Sequence, residues 1–399
     1  MKRNALWMVV VGLWLVMGFS QNGLAQDVAS VQQEVKKLKP GLSRFLLRGY
    51  AHSGFERYEK ENSFVGGSFN PIFLWQQSDR LLFEGELEVA LEHGSTTIGL
   101  EYANMSYILN KRMIIRVGKF LIPFGIFAER LHPRWINRLP SNPLGFDHGE
   151  QVGPAAALGA EIRGGAPLGA SKINYSIYLI NGPSLNDGSE NPEEAGMLHF
   201  DNYEDNNTNK AIGGRFGFLP FSSSALELGV SAQFAKVGNE NTIYQDVGAR
   251  LFALDLSLVK TIPSLKGIVD VKAQYSMTQV DDARYVDPEN PGQTYTFKNE
   301  NAAYFVRGTF KPAFVANTFI QKLEFAGRYS VLTLAEGAAW GGEKRQWAFS
   351  LNYWLDWRTV VKFSYQYTDA PGAEEAAVEH EEEGTPLGGA FLIHWSFGF

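Results

Sequence analysis

Four basic side chains fall within one short segment: Arg130, His132, Arg134 and Arg138. Pro123, Gly125, Pro133, Pro140, Pro143 and Gly145 stiffen and turn the chain around them. A guanidinium stays charged and offers planar donors that pair with phosphate or carboxylate oxygens. The segment therefore suits oxyanion recognition. It also carries Glu129, Asp147 and Glu150, three acids against three arginines, so its formal balance is neutral. A second role is equally open. Arginines withdrawn from bulk water need partners, and these could tie the segment to carboxylates elsewhere in the fold.

Other chemistry is sparse. The seven histidines (His52, His93, His132, His148, His199, His380 and His394) show no HExxH-like spacing. Cysteine is absent, which removes disulfides, thiolate metal sites and thiol catalysis. No P-loop pattern and no convincing Ser–His–acid set occurs. The run Glu374, Glu375, Glu379, Glu381, Glu382 and Glu383 could collect a divalent cation, but it reads better as a solvated loop tip. No metal or cofactor is expected. The formal charge of −7 argues against a basic nucleic-acid surface, so no nucleic-acid partner is expected.

The elements that must hold these residues are strands. The 399 residues include 28 Phe, 16 Tyr and 9 Trp, yet mean hydropathy is slightly negative, at −0.17. Apolar groups placed on one face of every strand reconcile the two. Residues 1–25 read as a secretory signal: Lys2 and Arg3, an apolar core from Leu6 to Phe19, and small residues ahead of the end at Ala25. Residues 26–41 read as a short periplasmic helix, with Val28, Val31, Val35 and Leu38 on one seam and Pro40-Gly41 as its stop. From residue 42 the period becomes two. Leu81, Phe83, Leu87, Val89 and Leu91 oppose Glu84, Glu86 and Glu88; Val361, Phe363, Tyr365 and Tyr367 oppose Lys362, Ser364 and Gln366. No stretch of the mature chain is long and apolar enough for a spanning helix.

Sixteen strands are expected, near 43–55, 68–76, 80–91, 97–108, 112–120, 155–166, 171–182, 209–218, 225–236, 244–258, 267–279, 301–311, 320–332, 344–355, 358–369 and 388–399. Even-numbered connections are short; many odd-numbered ones are long, notably 121–154, 183–208, 280–300 and 370–387. Short turns at one end and long loops at the other belong to a membrane barrel and have no reason to arise in a sandwich. The expected fold is all-β: a transmembrane antiparallel β-barrel over 42–399, with short periplasmic turns, long extracellular loops, and the third loop, 121–154, folded inward. Lipid of the outer membrane is then an expected partner.

The last strand places Phe391, Ile393, Trp395, Phe397 and Phe399 on one face. An apolar final strand ending in Phe resembles the signal by which bacterial outer-membrane barrels are recognised for insertion, which implies the barrel-assembly machinery as a partner. A second resemblance is more specific. Gly118-Lys119-Phe120-Leu121-Ile122-Pro123-Phe124-Gly125, followed by Glu129-Arg130-Leu131-His132-Pro133-Arg134-Trp135-Ile136, resembles the signature of the phosphate-selective porin O/P family of Gram-negative bacteria. Phe69-Asn70-Pro71-Ile72-Phe73-Leu74 and Leu81-Leu82-Phe83-Glu84-Gly85-Glu86-Leu87-Glu88 resemble its early strands. This implies a trimeric, sixteen-stranded porin of the outer membrane of a Gram-negative bacterium.

The candidate constriction residues are Lys119, Arg130, His132, Arg134 and Arg138. The candidate lumen-wall residues are Arg48, Arg116, Arg163, Arg215, Arg307, Arg328 and Lys362. On the faces read as inward, sixteen basic residues meet nine acidic ones, which favours anion passage. The expected function is a water-filled channel for small hydrophilic solutes, leaning toward small anions such as phosphate, without enzymatic chemistry. The rival readings are a barrel serving as partner or scaffold in an envelope assembly, and a barrel hydrolase.

Overall fold

The computed structural model describes residues 44–58, 62–92, 94–146, 151–200, 203–290, 292–371 and 386–399. The expected signal (1–25) and helix (26–41), the acids Asp147 and Glu150, and the run 374–383 lie outside the described residues.

Strong alternation makes the strands, and among the described residues there are twenty in chain order: β1 (Phe45–Arg57), β2 (Asn62–Gln76), β3 (Leu81–Glu92), β4 (Ser95–Asn110), β5 (Met113–Leu121), β6 (Ala156–Leu168), β7 (Ser171–Ile180), β8 (Ser184–Leu185), β9 (Leu198–His199), β10 (Ala211–Leu219), β11 (Leu226–Lys236), β12 (Gly248–Ile262), β13 (Gly267–Val280), β14 (Tyr285–Val286), β15 (Thr294–Tyr295), β16 (Glu300–Lys311), β17 (Leu323–Leu334), β18 (Gly342–Trp354), β19 (Thr359–Asp369) and β20 (Gly388–Gly398). The pairs β8–β9 and β14–β15 are two-residue hairpins in long loops. The other sixteen form one closed antiparallel barrel. β1 closes it against β20, from Tyr50↔Gly398 to Arg57↔Phe391. Closure leaves no unpaired strand edge, which is what lets a sheet sit in hydrocarbon.

The burial pattern is inverted relative to a water-soluble fold. On β19, Val360, Lys362, Gln366 and Thr368 are buried, while Phe363, Tyr365 and Tyr367 are exposed. Across β17 and β18, outward Tyr329 and Trp347 lie 4.3 Å apart. The barrel thus presents apolar and aromatic groups outward and polar groups inward, the arrangement a bilayer demands. No described helix is long and apolar enough to cross a membrane; the crossing is by strands.

All sixteen expected strands occur, with shifted ends. β2 starts at Asn62 rather than 68, because the register with β1 shifts between His52 and Gly54 and Gly67 adopts φ +65°. That bulge interrupts the period-two signal. β12 runs 248–262 rather than 244–258. The alternation is carried past 258 to the turn at Pro263, and Tyr244 instead stacks on Tyr285 among the long loops (5.8 Å, 9°). β17 begins at Leu323 rather than 320, because Asn317 caps a helical turn by accepting from Phe319 N and Ile320 N.

Candidate functional site: the loop clamped inside the barrel

Between β5 and β6 the chain enters the lumen. Gly125 makes the entry possible: its φ is +67°, and a Cβ there would lie 2.1 Å from the Gln274 amide. Gly125 N donates to Ser231 Oγ on β11 at 3.0 Å. Gln274 on β13 accepts from Ile126 N (2.7 Å) and Phe127 N (2.9 Å). A helical turn, Phe127–Arg130, follows. Phe127 and Phe146 pack edge-on against Phe305 of β16, at 5.8 and 5.2 Å.

The segment from His132 to Leu144 is held by wall side chains, most of which address its backbone. Tyr50 Oη on β1 lies 3.4 Å from His132 Nε2. The fully buried Lys362 ammonium on β19 donates to the carbonyls of Arg134, Asn137 (2.6 Å) and Leu139 (3.3 Å). Asn352 on β18 donates to Arg138 O at 2.9 Å. Arg328 on β17 donates to Ser141 O and Oγ, at 2.7 and 2.9 Å. Ser330 Oγ accepts from Leu144 N at 3.4 Å, and Thr278 Oγ1 donates to Val152 O at 3.1 Å. The bonds to main-chain groups satisfy donors and acceptors of the loop that would otherwise lie unpaired inside the barrel.

Ion pairs add a second set of ties. Arg130 meets Glu227 of β11 at 2.9 Å, and Arg138 meets Glu324 of β17 at 3.2 Å. Arg138 also lies over Trp354, 4.9 Å from its ring centre, and Trp354 Nε1 donates to Glu324 at 3.0 Å. Arg134 donates to Pro140 O and to Asn142 Oδ1, both neutral. Glu129 takes Arg163, and Arg116 at 3.6 Å. Burial pushes the Glu129 carboxyl up, but the adjacent Arg163 and Arg116 outweigh it and hold it down to about 2.

The other expected wall cations also face inward and are mostly engaged. Arg116 holds Glu161 at 2.6 Å. Arg215 bridges Asp255 (2.6 Å) and Glu227 (3.0 Å). Arg307 sits 3.6 Å from Asp270, which also takes Lys272. Arg48 is in phase with buried Tyr50 and is partly buried. Lys119 is placed elsewhere. Counting from inward Arg116, it falls on the outward face beside exposed Val117, and its Nζ reaches Leu100 O (2.6 Å) and Tyr203 Oη (3.3 Å). It is therefore separated from the loop arginines. The aromatic face of β20 points outward as expected, with Phe391, Ile393 and Trp395 exposed. Phe397 and Phe399 follow on the same side, and Phe399 stacks on Phe69 at 5.5 Å.

Sequence reasoning missed the neutral clamps Gln274, Asn352 and Ser231, and the Glu56–His394 pair at 2.8 Å inside the β1–β20 seam. The available signal was weak: polar side chains at inward positions in mid-strand. Among the described residues, no group of three or more His, Asp or Glu is placed to hold a metal ion.

Solved structures of outer-membrane proteins share this backbone. The outer membrane channel DcaP of Acinetobacter baumannii aligns with a TM-score of 0.55 and 10% identity, covering 89% of this chain and 97% of that one. The fold is that of an outer-membrane porin. Salmonella typhi OmpF, in complex with daunomycin, aligns at 0.57 and 11%, covering 89% and 97%. The anion-selective porin from Comamonas acidovorans aligns at 0.53 and 11%, covering 89% and 99%. No protein-family model and no curated protein matches the chain. At these identities the likeness is one of fold. The apolar outer surface of this barrel is the one an outer-membrane location requires.

Proposed function

We propose that the chain is a porin in the outer membrane of a Gram-negative bacterium, passing small hydrophilic solutes through a lumen narrowed by the loop 121–154. The observation that carries this reading is the clamped loop. A sixteen-stranded barrel encloses a lumen wide enough for water, and this one is crossed by a segment whose backbone is gripped from β11, β13, β17, β18 and β19. A fixed constriction in a polar lumen supports size and charge selection without covalent chemistry.

A lean toward anions such as phosphate is the finer part of the proposal. It is supported by the excess of inward basic residues over inward acids, and by the resemblance of residues 118–136 to the phosphate-selective porins. It is tempered by pairing, since Arg116, Arg130, Arg138, Arg163 and Arg215 each hold a carboxylate. Arg134, whose acceptors are neutral, and Arg48 are the residues we assign to that preference. A homotrimer, a cleaved leader ending at Ala25 and insertion by the barrel-assembly machinery complete the proposal.

Planar-bilayer recording of the purified protein tests it. Discrete conductance steps, with a reversal potential of anion-preferring sign in a salt gradient, are the expected result. An inserted protein that conducts nothing would overturn the channel reading; a cation-preferring sign would overturn only the anion lean.

A further inference from the structure

On the outer surface, near the long-loop end, three neighbouring strands carry their apolar face up to a sharp change. Ile212 of β10, Phe234 of β11 and Arg250 of β12 are register neighbours on the outward side. Phe252, one outward position deeper, packs edge-on against Phe234 (6.0 Å, 85°). One outward position nearer the loops stand Lys210 and Lys236, the latter opposite Gly248. Below this line the surface is aliphatic and aromatic; at it, three cations gather within three strand spacings.

These cations have acidic partners, and the partners lie on the loop side. Lys210 meets Asp205, Lys236 meets Asp246 at 2.8 Å, and Arg250 meets Asp281 at 3.1 Å. The cationic ends stay substantially exposed, at 43%, 45% and 57%. Exposed pairs of this kind add little to folding. They do fix where each cation sits: between the apolar belt and the carboxylates. A shallow depression of about 320 Å³ opens there, lined by Lys210, Phe234, Lys236, Gly248, Arg250 and Asp281.

We propose that this depression binds the phosphorylated headgroup of an anionic lipid in the outer leaflet, with its acyl chains along Ile212, Phe234 and Phe252. The cations stand at the depth where a lipid phosphate meets the apolar belt, and basic residues at that depth attract anionic headgroups. The inference rests on the membrane placement proposed above, but not on conduction, because all three cations lie outside the lumen.

The test uses full-length protein in neutral detergent and native mass spectrometry. The probes are a lipid A carrying two phosphates, the same lipid without phosphate, and inorganic phosphate. Wild type should retain the phosphorylated lipid preferentially. The Lys210→Gln, Lys236→Gln, Arg250→Gln triple variant should bind it about 100-fold more weakly, at the strength expected of three cations near an anionic surface. Lys236→Gln alone should lose about fivefold, which keeps the test available if the triple variant fails to fold. Lys210→Arg with Lys236→Arg should bind as wild type. Equal binding by the triple and single Gln variants, equal retention of the dephosphorylated lipid, or displacement of the lipid by millimolar inorganic phosphate would overturn the proposal. Bilayer conductance of the triple variant should match wild type. A protein that binds the lipid but does not conduct would sink the channel reading alone, whereas a conducting protein indifferent to lipid phosphate would sink this one.

Discussion

The Lys362 ammonium donates to the main-chain carbonyl of Asn137 at 2.6 Å, across 225 residues of sequence. It also takes the carbonyls of Arg134 and Leu139, and it is fully buried. A wall cation is thus spent on fixing the loop rather than on meeting a solute. Lys362→Met keeps the length of the side chain and removes its donors, leaving three loop carbonyls, two of them buried, without a charged partner. The expected loss is roughly 3 kcal/mol of loop anchoring. In bilayers this should give larger and noisier steps from a barrel that still inserts. Wild-type step size and noise would show that the latch does not set the constriction.

Arg138 and Glu324 are a second tie, nearly buried on both sides. Breaking either partner alone leaves an uncompensated charge, at a cost of about 3–5 kcal/mol. The Arg138→Gln, Glu324→Gln double variant should lose clearly less than the sum of the two single losses. Urea unfolding of the three variants measures this, and additive losses would mean that the two groups are not coupled.

Arg134 separates charge from scaffold better than its neighbours, because its acceptors are the neutral Pro140 O and Asn142 Oδ1. Arg134→Gln should leave step size nearly unchanged and reduce anion preference. The effect should be clear at ~0.1 M salt and nearly absent at ~1 M, where screening is short-ranged. Reversal potentials at the two salt levels check it.

The Glu129 carboxyl supplies a pH dependence. Its ordinary value of 4.5 is lowered to about 2 by Arg163 and Arg116, against the upward push of burial. A lowered carboxyl contributes stability that is complete above its unfolded value and is lost as pH falls through the folded one. Loop docking should therefore be constant from neutral pH down to about 4.5 and weaken progressively from there toward pH 2. Glu129→Gln should weaken docking already at pH 7. Conductance recorded across pH measures this; a wild-type transition between pH 5 and 7 would exclude Glu129 as its source.

The seam between β1 and β20 depends on an aromatic over a glycine. Phe399 N donates to Gly49 O at 2.9 Å, and a Cβ on Gly49 would fall 2.5 Å from the Phe399 ring and 2.4 Å from Asn70 O. Deleting Phe399, or replacing Gly49 by Val, should lower the amount of assembled barrel in outer-membrane fractions. Normal levels of both variants would remove the C-terminal face from assembly.

The barrel was legible because its signal is local. Period-two alternation reports the two environments of each residue, lipid and lumen, without reference to any partner strand. Sixteen alternating runs, with long and short connections in turn, left one architecture. Lys119 obeys the same rule, since alternation from Arg116 places it outward. What only the tertiary structure decided is how the lumen is filled. Gln274 meets Ile126 across 148 residues and Asn352 meets Arg138 across 214. Whether an arginine faces a solute or a wall carboxylate depends on the rotation and depth of strands far away in sequence. The bulge at Gly67 and the stacking of Tyr244 on Tyr285 were beyond a periodic reading for the same reason. An alternating pattern states which face a side chain takes, and only the closed barrel states what stands opposite it.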